Sequence, residues 1–294
     1  MPRDLLWING ETMPAEGALL PLEDRATVFG EGIYEVAIFY DGQPFMLREH
    51  LERWEQSAAG IELVSPGTLE EREARICALV EQSGHLDALV YGQLSRGHAR
   101  RNHLFPDPLA VAPTEFWIVR KAPVHKPECY RTGVRLVSQP DERWAHCHYK
   151  TISLLPNCLA KERAHRAGGY EALLYREDGT VTECSSSNAY CVRGGVVWTH
   201  PATNRILEGV TRQAIMAAAA SLGIPVREQA VTLEEFKQAD EAFISSTTME
   251  VMPVTAVDEA HIGAAKPGPV TLRLREAVRA RVMRECGIPQ AETA

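Results

Sequence analysis

The sequence predicts a mixed α/β protein of the α+β type that folds as two domains. Its 294 residues exceed one typical domain and suit about two. Hydrophobic residues make up 45% and charged residues 24% of the chain, as in ordinary globular proteins. Apolar segments of strand length are interspersed with amphipathic segments of helix length, but the strands cluster and do not alternate strictly with helices.

Residues 1–120 are predicted to form a small N-terminal α/β domain. An Asn-Gly turn ends the first strand, and an Asp-Gly turn at Asp41 closes a hairpin. A capping box, Thr68 with Glu71, begins the second helix. The predicted elements are a strand over 5–10, a hairpin over 32–47, helices over 48–60 and 68–83, and strands over 88–95 and 115–120.

Residues 121–127 are rich in proline and lack periodicity, which predicts an interdomain linker. Residues 128–294 then form a larger C-terminal α/β domain. Glycines mark the ends of two of its helices, and Thr232 with Glu235 forms another capping box. The other predicted elements are strands over 133–138, 171–175, 187–192, 196–199 and 243–246, and helices over 153–167, 211–222 and 269–286.

Charge and composition exclude several classes of protein. With 31 basic and 39 acidic residues the net charge is −8, which argues against a nucleic-acid or anionic-membrane partner. No apolar segment reaches the length of a membrane span, and residues 1–10 lack the apolar core of a signal peptide. The seven cysteines contain no C-x-x-C pair, so we expect a reducing compartment, the cytoplasm.

Common cofactor and metal motifs are not found. There is no P-loop, no G-x-S-x-G and no H-E-x-x-H, and Gly30-Glu-Gly32 lacks the third glycine of a dinucleotide fingerprint. His146 and His148 would share one face of a strand predicted over 144–149, but two ligands with no second cluster do not make a metal site. We therefore predict no metal.

Lysine is scarce, which narrows the search for an amine nucleophile. The six lysines are Lys121, Lys126, Lys150, Lys161, Lys237 and Lys266, and arginine supplies the other 25 positive charges. Arginine stays protonated, so Schiff-base chemistry must use one of these six amines. Lys150 follows the strand predicted over 144–149 and could hold an aldehyde; an ordinary surface lysine is the alternative.

Three further polar clusters could bind a charged cofactor. Glu183 stands before a run of hydroxyls and could hold a pyridinium proton, or could belong to a plain turn. Residues 208–212 begin a helix, where free N–H groups attract phosphate, although a threonine N-cap is the commoner use of Thr211. Residues 245–248 form a second candidate anion cradle, or a polar loop.

Taken together, the segments 183–188, 207–212 and 245–248 resemble the motifs of fold-type IV pyridoxal-phosphate enzymes. The resemblance extends from Asp24 to the C-terminal helix. Within this family the chain is most similar to the D-amino-acid aminotransferases. The resemblance implies pyridoxal 5′-phosphate (PLP) bound between the two domains, and a homodimer with its active sites at the subunit interface.

The resemblance also implies roles for individual residues. Lys150 would form the Schiff base and move the proton between the substrate Cα and the cofactor C4′, and Glu183 would pair with the pyridinium nitrogen. Leu207 would pack against the ring, and Tyr34 would line the substrate side. The phosphate would be bound by Arg53, Val210, Thr211, Ser246 and Thr247.

A basic loop over 96–106 is unusual in this acidic chain. Arg101-Asn-His103 matches the R-x-H element with which D-amino-acid aminotransferases of this family hold the substrate carboxylate, reaching in from the partner subunit. Arg96 and Arg100 are alternatives for the same role, and an ordinary solvated loop is the alternative interpretation of the whole segment.

The predicted activity is PLP-dependent, ping-pong transamination between a D-amino acid and a 2-oxo acid, either 2-oxoglutarate or pyruvate, through Lys150. Small molecules are the expected partners, with no nucleic acid and no membrane. The alternatives are an (R)-amine or branched-chain aminotransferase of the same fold, then aminodeoxychorismate lyase, and then a degenerate binding protein. The preferred D-amino acid is left open.

Overall fold

The computed structural model of this protein describes residues 1–289 and divides into two compact units. The first unit comprises Met1–Pro123, Tyr149–Ser153 and the C-terminal segment from Val282, and the second comprises Val124–His148 and Leu154–Arg281. The predicted C-terminal domain, 128–294, includes 149–153 and the C-terminal segment, which belong to the first unit in the structure. The end of that predicted domain, 290–294, lies outside the described residues.

The first unit contains one antiparallel sheet. Its six strands are hydrogen-bonded in the order β2-β1-β6-β5-β3-β4. Its elements within residues 1–123 are β1 (Leu5–Ile8), β2 (Glu11–Pro14), α1 (Arg25–Phe29), β3 (Gly32–Tyr40), β4 (Gln43–Phe45), α2 (Leu47–Gly60), α3 (Leu69–Ser83), β5 (Ala88–Ser95) and β6 (Thr114–Lys121). The predicted hairpin, helices and Thr68 capping box are confirmed.

Helices α2 and α3 cover the core of this sheet. Trp54 of α2 stacks on Trp117 of β6 with ring centroids 4.7 Å apart, and both side chains are fully buried. Gly92 lies opposite Trp117 in the β5–β6 ladder, where an added Cβ would meet the indole at 2.1 Å. Glycine is therefore required at this point of the strand, because the indole occupies the space of a side chain.

The second unit is built around a mixed sheet. Its elements, among the described residues, are α4 (Pro127–Thr132), β7 (Val134–Pro140), α5 (Leu155–Arg166), β8 (Glu171–Tyr175), β9 (Val181–Cys184), β10 (Asn188–Arg193), β11 (Val196–Thr199), α6 (Val210–Ser221), β12 (Val226–Glu228), α7 (Leu233–Lys237), β13 (Glu241–Ser246), β14 (Glu250–Val257), β15 (Ala260–His261) and α8 (Pro269–Glu285), whose residues from Val282 are counted in the first unit. The main path of the sheet runs β12-β11-β10-β13-β14-β7-β8-β9, with β15 paired to β14. The mixed α+β class is confirmed.

Two local predictions need correction. The strand predicted over 144–149 is wrong, because those residues form turns and a loop. Backbone N–H groups there find partners outside any sheet; the N–H of Cys147, for example, donates to the carbonyl of Asn204 at 2.8 Å. Glu183, for which a plain turn was an alternative, lies in β9.

No helix within residues 1–289 has both the length and the apolar character to cross a membrane.

Candidate active site

Lys150 lies in the short segment Tyr149–Ser153, which belongs to the first unit and runs beside β3. Its carbonyl accepts from the N–H of Tyr34 at 2.9 Å, and its own N–H donates to Oγ of Ser57 at 3.0 Å. Gly60, at the end of α2, leaves room for the Tyr149 ring, since an added Cβ would meet that ring at 2.1 Å. The backbone of Lys150 is therefore anchored on both sides by α2 and β3.

The side chain of Lys150 is half-buried and lies against an aromatic ring. Its Nζ is 4.3 Å from the centroid of the Tyr34 ring, so the structure brings these two predicted site residues together. Tyr34 in turn stacks on Tyr91 at a centroid distance of 5.8 Å. Among residues 1–289 Nζ has no hydrogen-bond acceptor, which leaves its nitrogen available for a ligand.

Arg53, the predicted phosphate ligand, is held by a buried carboxylate. Glu35 in β3 accepts from Arg53 Nε at 2.7 Å and from Nη2 at 2.9 Å, and His50 Nδ1 lies 2.9 Å from the same carboxylate. Burial opposes ionisation of Glu35, but the charge of Arg53 and the hydrogen bond from His50 hold the pKa of Glu35 well below its usual value. Burial also lowers the pKa of His50. This arrangement fixes the plane of the Arg53 guanidinium.

The three candidate arginines of the basic loop over 96–106, which follows β5, differ in their contacts. Arg96 donates from Nη1 to the carbonyl of Glu62 at 2.6 Å, from Nη2 to that of Ile61 at 2.7 Å, and from Nε to Glu31 at 3.2 Å. Its guanidinium also stacks on Phe105, 3.6 Å from the ring centroid. The Arg96 guanidinium therefore already has partners within the first unit, and the carboxylate role predicted for an arginine of this loop stays a prediction.

Arg101 and His103 are exposed on this loop and flank the same aromatic ring. The Arg101 guanidinium carbon is 5.2 Å from the centroid of Phe29, and the His103 ring is 5.4 Å from it. Within the described part of the chain neither Arg100 nor Arg101 has a hydrogen bond or ion pair. The Arg101 charge is thus free to receive an anion.

In the second unit, Glu183 pairs with an arginine that sequence analysis did not single out. Arg143 donates from Nη1 to Glu183, and it also donates to Asp141 from Nε and Nη2, both at 2.9 Å. Thr182 Oγ1 donates to Asp141 at 2.7 Å. Burial raises the pKa of Glu183, and the charge of Arg143 partly reverses that shift.

The carboxylate of Glu183 also accepts from two groups beside it. The N–H of Leu207 lies 3.2 Å from both oxygens, and Asn188 Nδ2 donates to Oε2 at 3.0 Å. Asn188 also donates to the carbonyl of Leu207 at 2.8 Å. The structure therefore brings together Glu183 and Leu207, as the predicted cofactor site requires.

Helix α6 begins directly after this point. Gly209 is its N-cap and provides no capping side chain, so the first N–H groups of the helix, from Val210 and Thr211, lack intrahelical acceptors. An added Cβ on Gly209 would lie 2.2 Å from Oδ1 of Asn188, which explains the glycine. A helix start of this kind attracts a phosphate through its N–H groups and its dipole.

Of the predicted residues, Ser246 ends β13 and Thr247 follows it in the turn before β14. Ser246 Oγ accepts from the N–H of Met249 at 3.4 Å, and both side chains are half-buried. Ser245, one residue earlier, is buried and lies 3.0 Å from the hydroxyl of Tyr190. The structure thus leaves two half-buried hydroxyls, those of Ser246 and Thr247, beside this turn, while the role predicted for them stays a prediction.

Comparison with known proteins identifies the family. The family model described as amino-transferase class IV matches residues 32–257, well over half of the chain. The chain belongs to the class IV aminotransferases. The resemblance seen in the sequence motifs is therefore confirmed.

Two relatives of this class IV aminotransferase carry the same name. The D-alanine aminotransferase of Listeria monocytogenes serotype 4b (strain F2365) is 40% identical over 281 residues, which cover 95% of this chain and 96% of that protein. The D-alanine aminotransferase of Bacillus licheniformis is 37% identical over 278 residues, 94% of this chain and 96% of that one.

Solved structures share the fold. The branched-chain amino acid aminotransferase of Thermobaculum terrenum, in its PLP form, has a TM-score of 0.85 at 26% identity and covers 97% of this chain and 97% of that chain. The branched-chain amino acid aminotransferase of Escherichia coli has a TM-score of 0.89 at 25% identity and covers 99% and 98%.

Several residues of the candidate site escaped sequence analysis. Glu35 is a single carboxylate within the apolar strand β3, and such a residue signals a buried charge that needs a partner. The sequence around Arg143 and Asp141 does not indicate that these charges are buried, because they lie in a loop among many other polar residues. Asn188 was seen only as the end of a hydroxyl-rich motif.

Proposed function

We propose that this protein transfers the amino group of a D-amino acid to a 2-oxo acid, with D-alanine as donor and 2-oxoglutarate or pyruvate as acceptor. The observation that carries the proposal is the 40% identity, over 95% of this chain, to a protein named D-alanine aminotransferase. The cofactor of this reaction is PLP, and the two substrates react in turn in a ping-pong scheme.

The residues present fit the three functional groups of PLP. The first unit offers the Lys150 amine for the aldehyde and the Arg53 guanidinium for the phosphate. The second unit offers the buried carboxylate of Glu183 for the pyridine nitrogen and the open start of α6 for the phosphate.

Bound PLP supplies an electron sink for the electron pair left when the Cα–H bond of the substrate breaks. Lys150 is the group that takes this proton at Cα and returns it, because its backbone is anchored by α2 and β3 while its side-chain amine has no hydrogen-bond acceptor within residues 1–289. Glu183 keeps a proton on the pyridine nitrogen, which strengthens the sink. Leu207 would pack against the ring of the bound cofactor, and Tyr34, which lies against the Lys150 amine, would border the substrate.

We assign the substrate carboxylate to Arg101 and His103. A guanidinium can bind both carboxylate oxygens, and holding them selects the face of Cα presented to Lys150, and hence the D-configuration. In this proposal the loop enters the active site of a second subunit, so the enzyme is a homodimer. We also propose a cytoplasmic location, supported by seven cysteines that are all free.

A branched-chain aminotransferase is the second candidate, because proteins so named share the fold at TM-scores of 0.85 and 0.89. Donor screening of the PLP-loaded enzyme separates the two, with 2-oxoglutarate and pyruvate as acceptors. We expect D-alanine to react and L-alanine and L-leucine to fail. Reaction with L-leucine or (R)-1-phenylethylamine in preference to D-alanine would overturn the proposal. Pyruvate release from aminodeoxychorismate with no acceptor would identify a lyase.

Borohydride reduction tests the role of Lys150 independently. Reduction of the loaded enzyme, followed by peptide mapping, should leave a pyridoxyl group on Lys150. An adduct on another lysine would reject the assignment. Arg101→Ala should raise KM for D-alanine at least about tenfold, in line with the loss of a charge-assisted hydrogen bond, while Arg100→Ala serves as the matched control.

A further inference from the structure

An ion pair between a buried arginine and a half-buried glutamate contacts the basic loop over 96–106. The Arg25 side chain, at the start of α1, is 1% exposed. It donates from Nε to Glu31 Oε2 at 2.5 Å and from Nη2 to Glu31 Oε1 at 2.6 Å. Two parallel bonds of this type fix the orientation of a guanidinium and leave both N–H groups of Nη1 available to another acceptor.

The remaining nitrogen holds the tip of the loop. Arg25 Nη1 donates to the carbonyl of Asn102 at 2.7 Å, and Asn102 lies between Arg101 and His103. The Asn102 carbonyl thus accepts from the Arg25 guanidinium, whose positive charge is already balanced by Glu31. The hydrogen bond therefore fixes the backbone at the centre of the R-x-H element without competing for its charged side chains.

The loop is also anchored by aromatic contacts. The Phe29 ring lies 4.5 Å from the Arg25 guanidinium carbon, 5.2 Å from that of Arg101 and 5.4 Å from the His103 ring. One ring thus contacts the anchor and both side chains of the R-x-H element. Cation–π contacts of this kind restrict the rotamers of a side chain that would otherwise move freely.

Further bonds hold the base of the loop against the same helix. The N–H of Arg25 donates to the carbonyl of Gly97 at 3.0 Å, and the N–H of Ala99 donates to that of Glu23 at 3.3 Å. Glu31 also accepts from Arg96 Nε at 3.2 Å. The Arg25–Glu31 pair therefore connects the base of the loop, at Arg96, with its tip at Asn102.

We propose that Arg25 is a positioning residue for substrate carboxylate binding, acting through the backbone of Asn102 to hold Arg101 and His103 in their binding geometry. This inference rests on the carboxylate role proposed above for Arg101 and His103. The chain uses a buried arginine to preorganise an exposed one, so that substrate binding does not have to order the loop.

The first test is kinetic. Arg25→Lys keeps a charge for Glu31, but a lysine cannot bind both carboxylate oxygens and reach the Asn102 carbonyl in the same geometry. We expect KM for D-alanine to rise about tenfold with kcat changed less than about twofold, the size expected for one lost charge-assisted hydrogen bond. Arg48→Lys, an exposed arginine on α2, is the control and should leave both constants unchanged.

A double mutant separates positioning from general destabilisation. If Arg25 acts through Arg101, Arg25→Lys should add almost nothing to KM once Arg101→Ala is present. An equal increase in KM on both backgrounds would overturn the inference. If Arg101→Ala raises KM and Arg25→Lys does not, the inference alone fails. If Arg101→Ala itself leaves KM unchanged, the proposed carboxylate role fails, and the inference fails with it.

Hydrogen exchange gives a readout that does not depend on activity. Amides of residues 98–105 should exchange faster in Arg25→Lys than in the parent protein, both with and without PLP, while amides of α2 should not change. Equal exchange in the loop would overturn the inference. Should Arg25→Lys not fold, Phe29→Leu and Glu31→Gln test the same anchor, with the same expected rise in KM and loop exchange.

Discussion

Arg53 holds Glu35 through two parallel hydrogen bonds, from Nε to Oε1 at 2.7 Å and from Nη2 to Oε2 at 2.9 Å. Both side chains are buried, in α2 and β3. Removing either partner would leave an uncompensated charge in the interior of the first unit. The orientation of the Arg53 guanidinium is therefore fixed by the packing of α2 on β3, which places Glu35 beside it.

Arg53→Lys should weaken PLP binding. Lysine keeps the positive charge but cannot make two parallel bonds to Glu35, so the charge offered to the phosphate is no longer fixed. We expect the Kd for PLP to rise at least about tenfold. Fluorescence titration of the cofactor-free protein measures it. Arg48→Lys, on the exposed face of the same helix, should leave the Kd unchanged, and an unchanged Kd in Arg53→Lys would contradict the phosphate role.

Acidification should destabilise the protein through His50. The pKa of His50 is lowered from its ordinary value of 6.5, chiefly by burial, so the unfolded chain takes up this proton at a higher pH than the folded one. The stability linked to His50 is therefore fully present above pH 6.5 and is lost as pH falls below it. Glu35, with its depressed pKa, adds a loss in the same direction at lower pH.

Thermal unfolding of the cofactor-free protein between neutral and mildly acid pH measures this effect. His50→Asn cannot take up a proton but can still donate to Glu35, so its Tm should depend less steeply on pH in the range just below 6.5. His98→Asn, at an exposed histidine, should keep the parent slope. Parallel pH profiles for the parent protein and His50→Asn would show that His50 does not titrate as described.

Arg143→Met should affect both stability and cofactor binding. It leaves the buried carboxylate of Glu183 without its cation, and burial then raises the pKa of Glu183 without that opposition. Breaking a buried pair of this kind costs about 3 kcal/mol or more. We expect a lower Tm and a higher Kd for PLP. Arg205→Met, at an exposed arginine in the same unit, is the control.

The double variant Arg143→Met with Glu183→Gln separates these two effects. Without the Glu183 carboxylate, part of the lost Tm should return, because one of the two buried carboxylates that Arg143 pairs with is gone and the other, Asp141, still has Arg176 Nε at 3.4 Å. The Kd for PLP should stay high, since the carboxylate for the pyridine nitrogen is gone. Recovery of cofactor affinity in the double variant would refute the role of Glu183.

Gly209→Ala should disturb the start of α6. Its Cβ would lie 2.2 Å from Oδ1 of Asn188, the residue that donates to Glu183 and to the Leu207 carbonyl. Relief of the clash must move one of these groups, at a cost of about 1–3 kcal/mol. We expect a lower Tm and weaker PLP binding. Gln213→Ala, exposed on the same helix, should change neither, and a Gly209→Ala protein with parent Tm and Kd would contradict this geometry.

Local sequence signals predicted most of the elements. The capping boxes of Thr68 and Thr232 are present as expected, because each depends only on residues three positions apart. The strand predicted over 144–149 is absent because a strand, unlike a capping box, needs a pairing partner from elsewhere in the chain. Alternating side chains suggested a strand, but among the described residues no neighbouring strand pairs with that segment, and the N–H of Cys147 donates to a loop carbonyl instead.

The same division holds for the candidate site. The sequence by itself determined the family, the cofactor and the short list of chemically competent residues, because these reside in motifs with characteristic spacing. Only the tertiary structure decided that Arg96 is occupied by the Ile61 and Glu62 carbonyls, that Glu35 orients Arg53, and that Arg143 faces Glu183. Those pairings join residues far apart in the chain, and their strength depends on burial, which local spacing does not encode.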